Sequence, residues 1–366
     1  MYALKTLFDQ PFRFGITAAG IALCVVLMLF LSGIYKGVSD GSVEYIRASN
    51  ADIWVLQRHT NNIMRSTSLL RSKYWTQLED MEGIASVSPV IFVLGAVELP
   101  NGPQSLYLTG FDPETGKGGP PEIITGRNVK ADNEIVLDQA FACKNDVQVG
   151  DSLILKNDTL TVVGLSNRTN MIVIQYAFVT LTETHRILGF SGIVSCFLVK
   201  LEPGVEHKKI VGKIGREVPD AVAFDRDTFL LNNIREMESG ILPLLFLIAL
   251  LGSVVLTAIL SLILSINVLE RRKDFAVMKA LGAPPGFVPG MVLLQSFVLA
   301  VSGLLLGILA FFPLMRIVVY LVPEVSVVTS WRHLVSVSLG VWGISLISSV
   351  FPIRKLRKVY PLEVFK

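Results

Sequence analysis

The sequence predicts a membrane protein in which four transmembrane α-helices carry a large extracytoplasmic α+β domain, inserted between the first and second helices. The chain has 366 residues, of which 51% are hydrophobic and only 17% charged, whereas soluble proteins carry roughly 25% charge. Apolar residues concentrate near the N-terminus and in the last third, while residues 36–239 have an ordinary soluble composition. These two observations together predict a membrane part interrupted by a folded domain.

Four segments reach the length of about 20 apolar residues that a helix needs to cross the hydrocarbon layer. The first, residues 14–35, lacks charge, and Asp9 before it argues against a cleaved secretory signal. The second, residues 240–269, is longer than the bilayer requires, so we expect part of it to extend outside as a stalk. The third and fourth are residues 289–315 and 334–353.

Orientation follows from Lys and Arg residues, which remain on the cytoplasmic side when they flank membrane helices. Such residues occur before the first span, in residues 270–288 and in the tail, residues 354–366. Both termini are therefore expected in the cytoplasm. Residues 36–239 and the loop 316–333 are then external.

The leading segment, residues 1–13, places Leu4, Leu7 and Phe8 on one helical face. This pattern favours a short amphipathic helix on the inner membrane surface. A frayed terminus is the alternative.

The external section shows mainly strand patterns. Two β-branched runs, residues 149–155 and 159–164, flank a turn and predict a hairpin. A Gly/Pro-rich stretch, residues 110–121, indicates a boundary, so we expect two α+β lobes with one inserted at about 103–165. Further strands are expected at residues 51–56, 84–99, 134–137, 171–180 and 195–201, and helices at 69–81, 138–144, 182–188, 205–218 and from Thr228.

No motif predicts catalysis or metal binding. Gly110, Gly116 and Lys117 are spaced somewhat like a phosphate-binding loop, but Pro120-Pro121 prevents the helix that such a loop needs. The four histidines lack metal-ligand spacing, and a net charge of +3 is too small to indicate nucleic-acid binding. We therefore propose no catalytic residue and no metal ligand.

The three cysteines show no disulfide pattern. Cys24 lies in the first span, and Cys143 and Cys196 lie in the external section. Free, buried thiols are favoured over a bridge between Cys143 and Cys196.

Small residues recur at helical spacing in two spans. Gly303-x-x-x-Gly307 lies in the third span and Gly15-x-x-x-Ala19 in the first. Such pairs allow helix backbones to approach closely. Packing within one subunit, packing between subunits and ordinary glycine usage all fit this pattern.

A charged segment separates the second and third spans and must lie in water. Its charges would form a salt-sensitive docking surface, and the apolar Phe275, Val277 and Leu281 would supply burial. A positive-inside anchor explains the Arg and Lys residues but not the rest of the pattern. The segment reads Glu270-Arg271-Arg272-Lys273-Asp274-Phe275-Ala276-Val277-Met278-Lys279-Ala280-Leu281-Gly282-Ala283.

This segment resembles the signature of MacB/FtsX-type permeases, the membrane subunits of ABC transporters, with Asp274 in place of the usual Glu. The tail, with Pro361, Leu362 and Glu363, is similar to the family ending Pro-aliphatic-Glu-Ala-Leu, although Val364 replaces the small residue. The order of one span, an external domain and three spans also matches. Residues 32–33, 50–55 and 64–68 are similar to the HrtB-like and DevC-like branches.

The resemblance implies a homodimer that binds two ABC ATPase subunits. ATP and Mg would be bound by those subunits, while this chain would bind no cofactor and would not itself be an enzyme. Membrane lipids and a periplasmic adaptor are further expected partners. The residues implied in ATPase coupling are Glu270, Arg271, Arg272, Lys273, Asp274, Phe275, Ala276, Lys279, Gly282, Ala283, Pro361 and Leu362.

The function that we expect is export or extraction of a hydrophobic or amphiphilic substrate, driven by motion that a separate ATPase supplies. The four predicted spans contain no Asp, Glu, Lys or Arg, which agrees with a lipid-like cargo and disfavours a proton- or ion-coupled pump. The alternative is a signalling subunit that activates an external partner, such as a cell-wall enzyme, without transport. A membrane-tethered external enzyme would lack any catalytic constellation.

Overall fold

The computed structural model divides the chain into two compact units, each described here by itself. The helical unit comprises Met1–Lys36, Pro243–Val318 and Val327–Lys366, and the sheet unit comprises Gly37–Leu242 and Val319–Ser326. The structure describes residues 11–63, 66–100, 102–156, 158–170, 174–270, 273, 275, 277–278, 281–284, 286–322 and 331–357.

Among the described residues, four helices are short and four are long. In chain order they are α1 (Pro11–Ala48), α2 (Tyr74–Glu79), α3 (Gln139–Asn145), α4 (Leu181–Leu188), α5 (His207–Glu217), α6 (Arg226–Glu270), α7 (Phe287–Leu321) and α8 (Trp331–Arg357).

The strands all lie between α1 and α6. They are β1 (Ile53–Gln57), β2 (Leu70–Arg71), β3 (Ile84–Leu99), β4 (Gly102–Phe111), β5 (Glu122–Gly126), β6 (Glu134–Asp138), β7 (Ser152–Leu155), β8 (Asp158–Asn167), β9 (Tyr176–Thr180), β10 (Ile193–Val194), β11 (Cys196–Leu201) and β12 (Ala221–Asp225).

The four long helices contain the stretches that are apolar enough to cross a membrane. Among the described residues these stretches are Phe14–Ala48, Phe246–Ile263, Pro289–Leu321 and Trp331–Val350. A helix can cross because it pairs its own backbone polar groups where no water is present. The four predicted spans each fall within one of these helices.

Close contact between α1 and α7 organises the helical unit. A Cβ atom added at Gly303 would lie 2.4 Å from Ile21, and one at Gly307 would lie 2.7 Å from Val25. Both glycines thus let α7 approach the backbone of α1 within one chain. Helix α7 also contacts α8, because the Ser296 hydroxyl donates to the Ser345 carbonyl at 3.0 Å.

One main sheet forms the sheet unit. Its described strands run in the order β12-β1-β11-β3-β4-β9-β6-β8-β5, with β7 paired to β3 and β8. The β4–β9 and β6–β8 pairs are parallel and the other pairs are antiparallel. Strand β3 pairs with β11 through Val90 and with β4 from Ile91 onward, so the sheet continues across the predicted lobe boundary near residue 103.

Most local predictions for this unit are confirmed. The hairpin is present, with Leu155 of β7 opposite Asp158 of β8. The helix predicted over 69–81 is shorter, because β2 occupies its first part and pairs with β10. The strand predicted over 171–180 is described as Tyr176–Thr180, and residues 171–173 lie outside the description.

The prediction of buried cysteines is wrong for Cys143. All three thiols are free, but Cys143 is exposed on α3 whereas Cys196 is buried in β11. Burial raises the pKa of the Cys196 thiol far above its ordinary value, since the thiolate would lose its hydration.

We expect Gly303→Ala to destabilise the protein by about 1–3 kcal/mol, because the added methyl group collides with Ile21. The measurement is the unfolding midpoint of the purified chain in detergent. Gly340→Ala in α8 is the matched control, since nothing lies within 4 Å of its added Cβ. Equal midpoints for the two variants would contradict the close α1–α7 contact.

Candidate functional site

The coupling segment, residues 270–283, begins where α6 ends at Glu270. Phe275 is only 3% exposed and packs with Met291 and Val292 of the helical unit. Phe275 therefore attaches the segment to its own chain and is not free to bury itself in a partner. Val277 is 40% exposed and Leu281 is 83% exposed, so these two side chains present apolar surface outward.

A glycine closes this segment. Gly282 has a φ of 89°, in the left-handed region, and the Ala283 amide donates to the Met278 carbonyl at 3.0 Å. This six-to-one bond around a left-handed residue is the usual C-terminal cap of a helix, and glycine adopts that conformation without strain. The helix cap therefore explains why glycine stands between Leu281 and Ala283.

The other predicted coupling residues divide into described and undescribed positions. Lys273 is exposed. Seven lie outside the described residues: Arg271, Arg272, Asp274, Ala276, Lys279, Pro361 and Leu362.

The small residues at the start of α1, unlike those of α7, do not pack against another described helix. No described residue lies within 4 Å of a Cβ added at Gly15, and Ala19 is exposed. Among the described residues this face of α1 is therefore uncovered, unlike the face that receives Gly303 and Gly307.

In the sheet unit, the end of α1 enters an aromatic core. Tyr45 is 1% exposed, and its ring lies 4.9 Å from that of Tyr176 in a stacked arrangement. Its hydroxyl donates to the Gly118 carbonyl at 2.6 Å. Glu44 adds a surface ion pair with Arg168 at 2.8 Å.

The first turns of α6 enter the same core. Phe229 is fully buried and stacks on Trp54 of β1 at 4.8 Å. Arg226 donates to the carbonyl of Arg47 at 2.6 Å, which joins the start of α6 to the end of α1. Both long helices are therefore attached to the sheet at neighbouring positions.

Asn233, one turn further along α6, connects this helix to a loop. Its side-chain oxygen accepts from the Ile63 amide at 3.1 Å, and its side-chain nitrogen donates to the Phe229 carbonyl at 2.9 Å. The residue is 1% exposed, so this bridge is shielded from water. The sequence analysis missed Tyr45, Trp54, Phe229 and Asn233, although aromatic residues beside the ends of two long helices were a usable signal.

The described residues hold no group of three or more His, Cys, Asp and Glu side chains that could bind a metal ion. The features on which a function can be based are therefore the coupling segment and the attachment of α1 and α6 to the sheet.

Two family models match the chain. The MacB-like periplasmic core domain matches residues 14–216, more than half of the chain, and the FtsX-like permease C-terminal domain matches residues 246–361. The chain belongs to the MacB/FtsX-type family of ABC transporter permeases.

Curated relatives of similar length agree with this assignment. An uncharacterised ABC transporter permease of Mycobacterium tuberculosis is 23% identical over 99% of this chain and 98% of its own length. A Staphylococcus haemolyticus protein, HrtB, which is named for a hemin transport system, is 21% identical over 99% of this chain and 97% of its own.

Solved structures of external domains are also similar. The periplasmic region of MacB from Actinobacillus actinomycetemcomitans aligns with a TM-score of 0.39 at 15% identity, over 50% of this chain and 92% of that structure. The extracellular domain of YknZ from Gram-positive bacteria gives a TM-score of 0.37 at 11% identity, over 48% and 100%.

The two family models confirm the predicted family and, together with the four apolar helices, the predicted fold class. The chain is a multi-pass membrane protein with an α+β domain of the MacB type between its first and second membrane helices. Membership of this family of ABC transporter permeases implies that the chain has an ATPase partner. The DevC-like similarity stays a prediction.

We expect Asn233→Ala to lower the free energy of unfolding by about 1–3 kcal/mol, because the buried Ile63 amide loses its acceptor. Thermal or denaturant unfolding of the purified chain measures this. Asn232→Ala is the matched control, as Asn232 is adjacent and only half-buried. A smaller loss for Asn233→Ala than for the control would contradict the bridge.

Proposed function

We propose that this chain transmits ATP-driven motion from a separate ATPase to its external domain, and thereby exports or extracts a hydrophobic or amphiphilic substrate. The observation that carries the proposal is the continuity of α6. This single helix of 45 residues begins beside the Trp54 stack and ends at the coupling segment. At 1.5 Å per residue its length is roughly 67 Å, enough to connect both sides of a bilayer.

Proline gives this helix a defined position for bending. Pro243 lies inside α6 and is its first residue in the helical unit. A proline in a helix removes one backbone hydrogen bond and clashes with the preceding turn, which allows a kink. We infer that motion entering at Glu270 changes the bend at Pro243 and reaches Phe229 and Asn233.

Docking of the ATPase would use the outward face of the coupling segment. Exposed Lys273 supplies charge, and exposed Leu281 and Val277 supply apolar contact. Two ATPase copies would bind a homodimer of this chain, and they would hold ATP and Mg. The open face of α1 at Gly15 and Ala19 is the surface that we assign to the second copy of the permease.

Orientation in this proposal places both termini in the cytoplasm of a bacterium and the sheet unit outside its inner membrane, where a periplasmic adaptor could bind. Support comes from the larger number of Lys and Arg residues that flank the predicted spans on the cytoplasmic side.

The proposed cargo class follows from the absence of Asp, Glu, Lys and Arg in the predicted spans. An ion or strongly charged solute would need such groups along its path. The name of the HrtB relative refers to hemin transport, and hemin is a large amphiphilic molecule, which agrees with this class.

Charge reversal of Arg272 and Lys273 to Glu should abolish copurification of the ATPase, because it places negative charge on a basic docking surface. Affinity purification of the tagged chain followed by quantification of the ATPase measures this. Charge reversal of Lys208 and Lys209, an exposed basic pair on α5, is the matched control. Retention of the ATPase by the first variant would remove the coupling role.

Cys143 reports the orientation without any engineered residue. It is exposed, whereas Cys196 is buried and Cys24 lies in the first membrane helix. We expect a membrane-impermeant maleimide to label intact cells, after permeabilisation of any outer membrane, and Cys143→Ser to abolish labelling.

A cysteine at position 273, introduced by Lys273→Cys into the Cys143→Ser chain, should be labelled only after lysis. Labelling of position 273 in intact cells would show that the orientation is inverted.

A further inference from the structure

A cavity of ≈ 350 Å³ lies in the sheet unit, beside β3. Strand β3 pairs with β11 from Ile84 to Val90, and with β7 at Val97 and Glu98. Between these positions no described strand covers that edge of β3, and the cavity occupies the gap. We name it the β3 cavity. Its described wall includes Asn62, Ile63, Ser68, Val93, Tyr107 and Ser195.

The described part of the β3 cavity wall carries no charge. Among the described lining residues there is no Asp, Glu, Lys, Arg or His. Its volume falls within the range of roughly 300–1,000 Å³ that is usual for small-molecule sites. An ionised group placed inside would lose its hydration without a partner. The cavity therefore favours an uncharged group.

Three polar side chains of the described wall already donate hydrogens within the protein. The Ser68 hydroxyl donates to the Ser195 carbonyl at 2.5 Å, and the Tyr107 hydroxyl donates to the Ile63 carbonyl at 2.5 Å. The Asn62 amide donates to Ser66 at 2.9 Å. These bonds reduce the number of donors that the wall can offer to a ligand, and a hydrocarbon chain needs none.

Three large apolar side chains at the cavity are exposed. Leu69 is 49% exposed, Leu94 is 62% exposed and Phe190 is 46% exposed, and all three belong to its lining. Exposed apolar area costs free energy of about 25 cal/mol per Å² that burial would recover. A clustered apolar patch around a cavity is typical of a ligand-binding site.

We propose that the β3 cavity binds an alkyl chain of an amphiphile, whose polar headgroup remains in water beyond Leu69, Leu94 and Phe190. The absence of charge among the described lining residues, the internal hydrogen bonds of Ser68, Tyr107 and Asn62, and the apolar entrance all match a hydrocarbon chain. The proposal deepens the proposed function, on which it rests, by placing part of the cargo in the sheet unit.

The same cavity is connected to α6. Ile63 lines it, and the Ile63 amide donates to Asn233 of α6 while the Ile63 carbonyl accepts from Tyr107. A shift of α6 would therefore displace one wall of the cavity. In this way ATP-driven motion of α6 would change the affinity for the alkyl chain, so that binding and release alternate.

Direct binding tests the proposal without any ATPase. The full chain is placed in phosphatidylcholine nanodiscs and titrated with a dansyl-labelled undecanoic acid, with empty nanodiscs as the background for lipid partition. We expect saturable fluorescence that decanoic acid displaces. Val93→Trp fills the cavity and should weaken binding by about tenfold or more, which corresponds to 1.4 kcal/mol or more. Ile124→Trp, at an exposed site on β5 outside the lining, should leave binding unchanged.

A second variant keeps the test decisive if Val93→Trp fails to fold. Phe190→Ser changes an exposed side chain at the entrance and should weaken binding by roughly three- to tenfold through lost apolar contact. Absence of saturable binding, or equal binding by wild type, Val93→Trp and Phe190→Ser, would overturn the proposal. Displacement by an uncharged apolar hexapeptide but not by decanoic acid would also overturn it. Each of these failures leaves ATPase copurification, and with it the proposed function, untouched.

Discussion

The stacking of Phe229 on Trp54, together with the burial of Tyr45, is the interaction on which the rest of the architecture depends. A helix end exposes unpaired backbone groups and frays unless other residues hold it. Here the last turn of α1 and the first turns of α6 lie in one aromatic core, with Tyr45 and Phe229 both at most 1% exposed. Large rings buried in this way contribute several kcal/mol. The sheet and the two long helices are therefore coupled mechanically.

The membrane helices must associate by other interactions, because lipid tails provide no hydrophobic driving force for helix association. Gly303 and Gly307 bring α7 against α1, and the hydroxyl of Ser296 bonds to Ser345 of α8. Close backbone contact and a buried hydroxyl bond replace the hydrophobic effect there. In the sheet unit, by contrast, three clusters of buried apolar residues stabilise the fold in the ordinary way.

The proposed function requires a connection between these two kinds of packing. The coupling segment is attached through Phe275 and capped at Gly282, which agrees with a role in transferring force. At the other end of α6, Asn233 bridges to Ile63 through a shielded hydrogen bond. The proposed alkyl site lies directly against that bridge. In the proposal, motion of α6 would move this wall of the cavity and so alternate binding and release.

The sequence by itself determined the membrane spans, the family and the hairpin, because these depend on local patterns of apolar, charged and turn residues. Long uncharged segments identify a spanning helix wherever they occur, and the coupling segment could be recognised from adjacent residues. It also placed Phe275 in the coupling segment, but only the structure decided that this side chain is buried in its own chain.

Tertiary structure alone decided which distant residues meet. Asn233 and Ile63 are 170 positions apart, and Tyr45 and Gly118 are 73 apart. No periodicity relates such pairs, since their contact depends on how the whole sheet is ordered. The exposure of Cys143, the partner of Gly303 and the gap beside β3 depend on the same strand order and helix packing, so they could not be predicted from the chain alone.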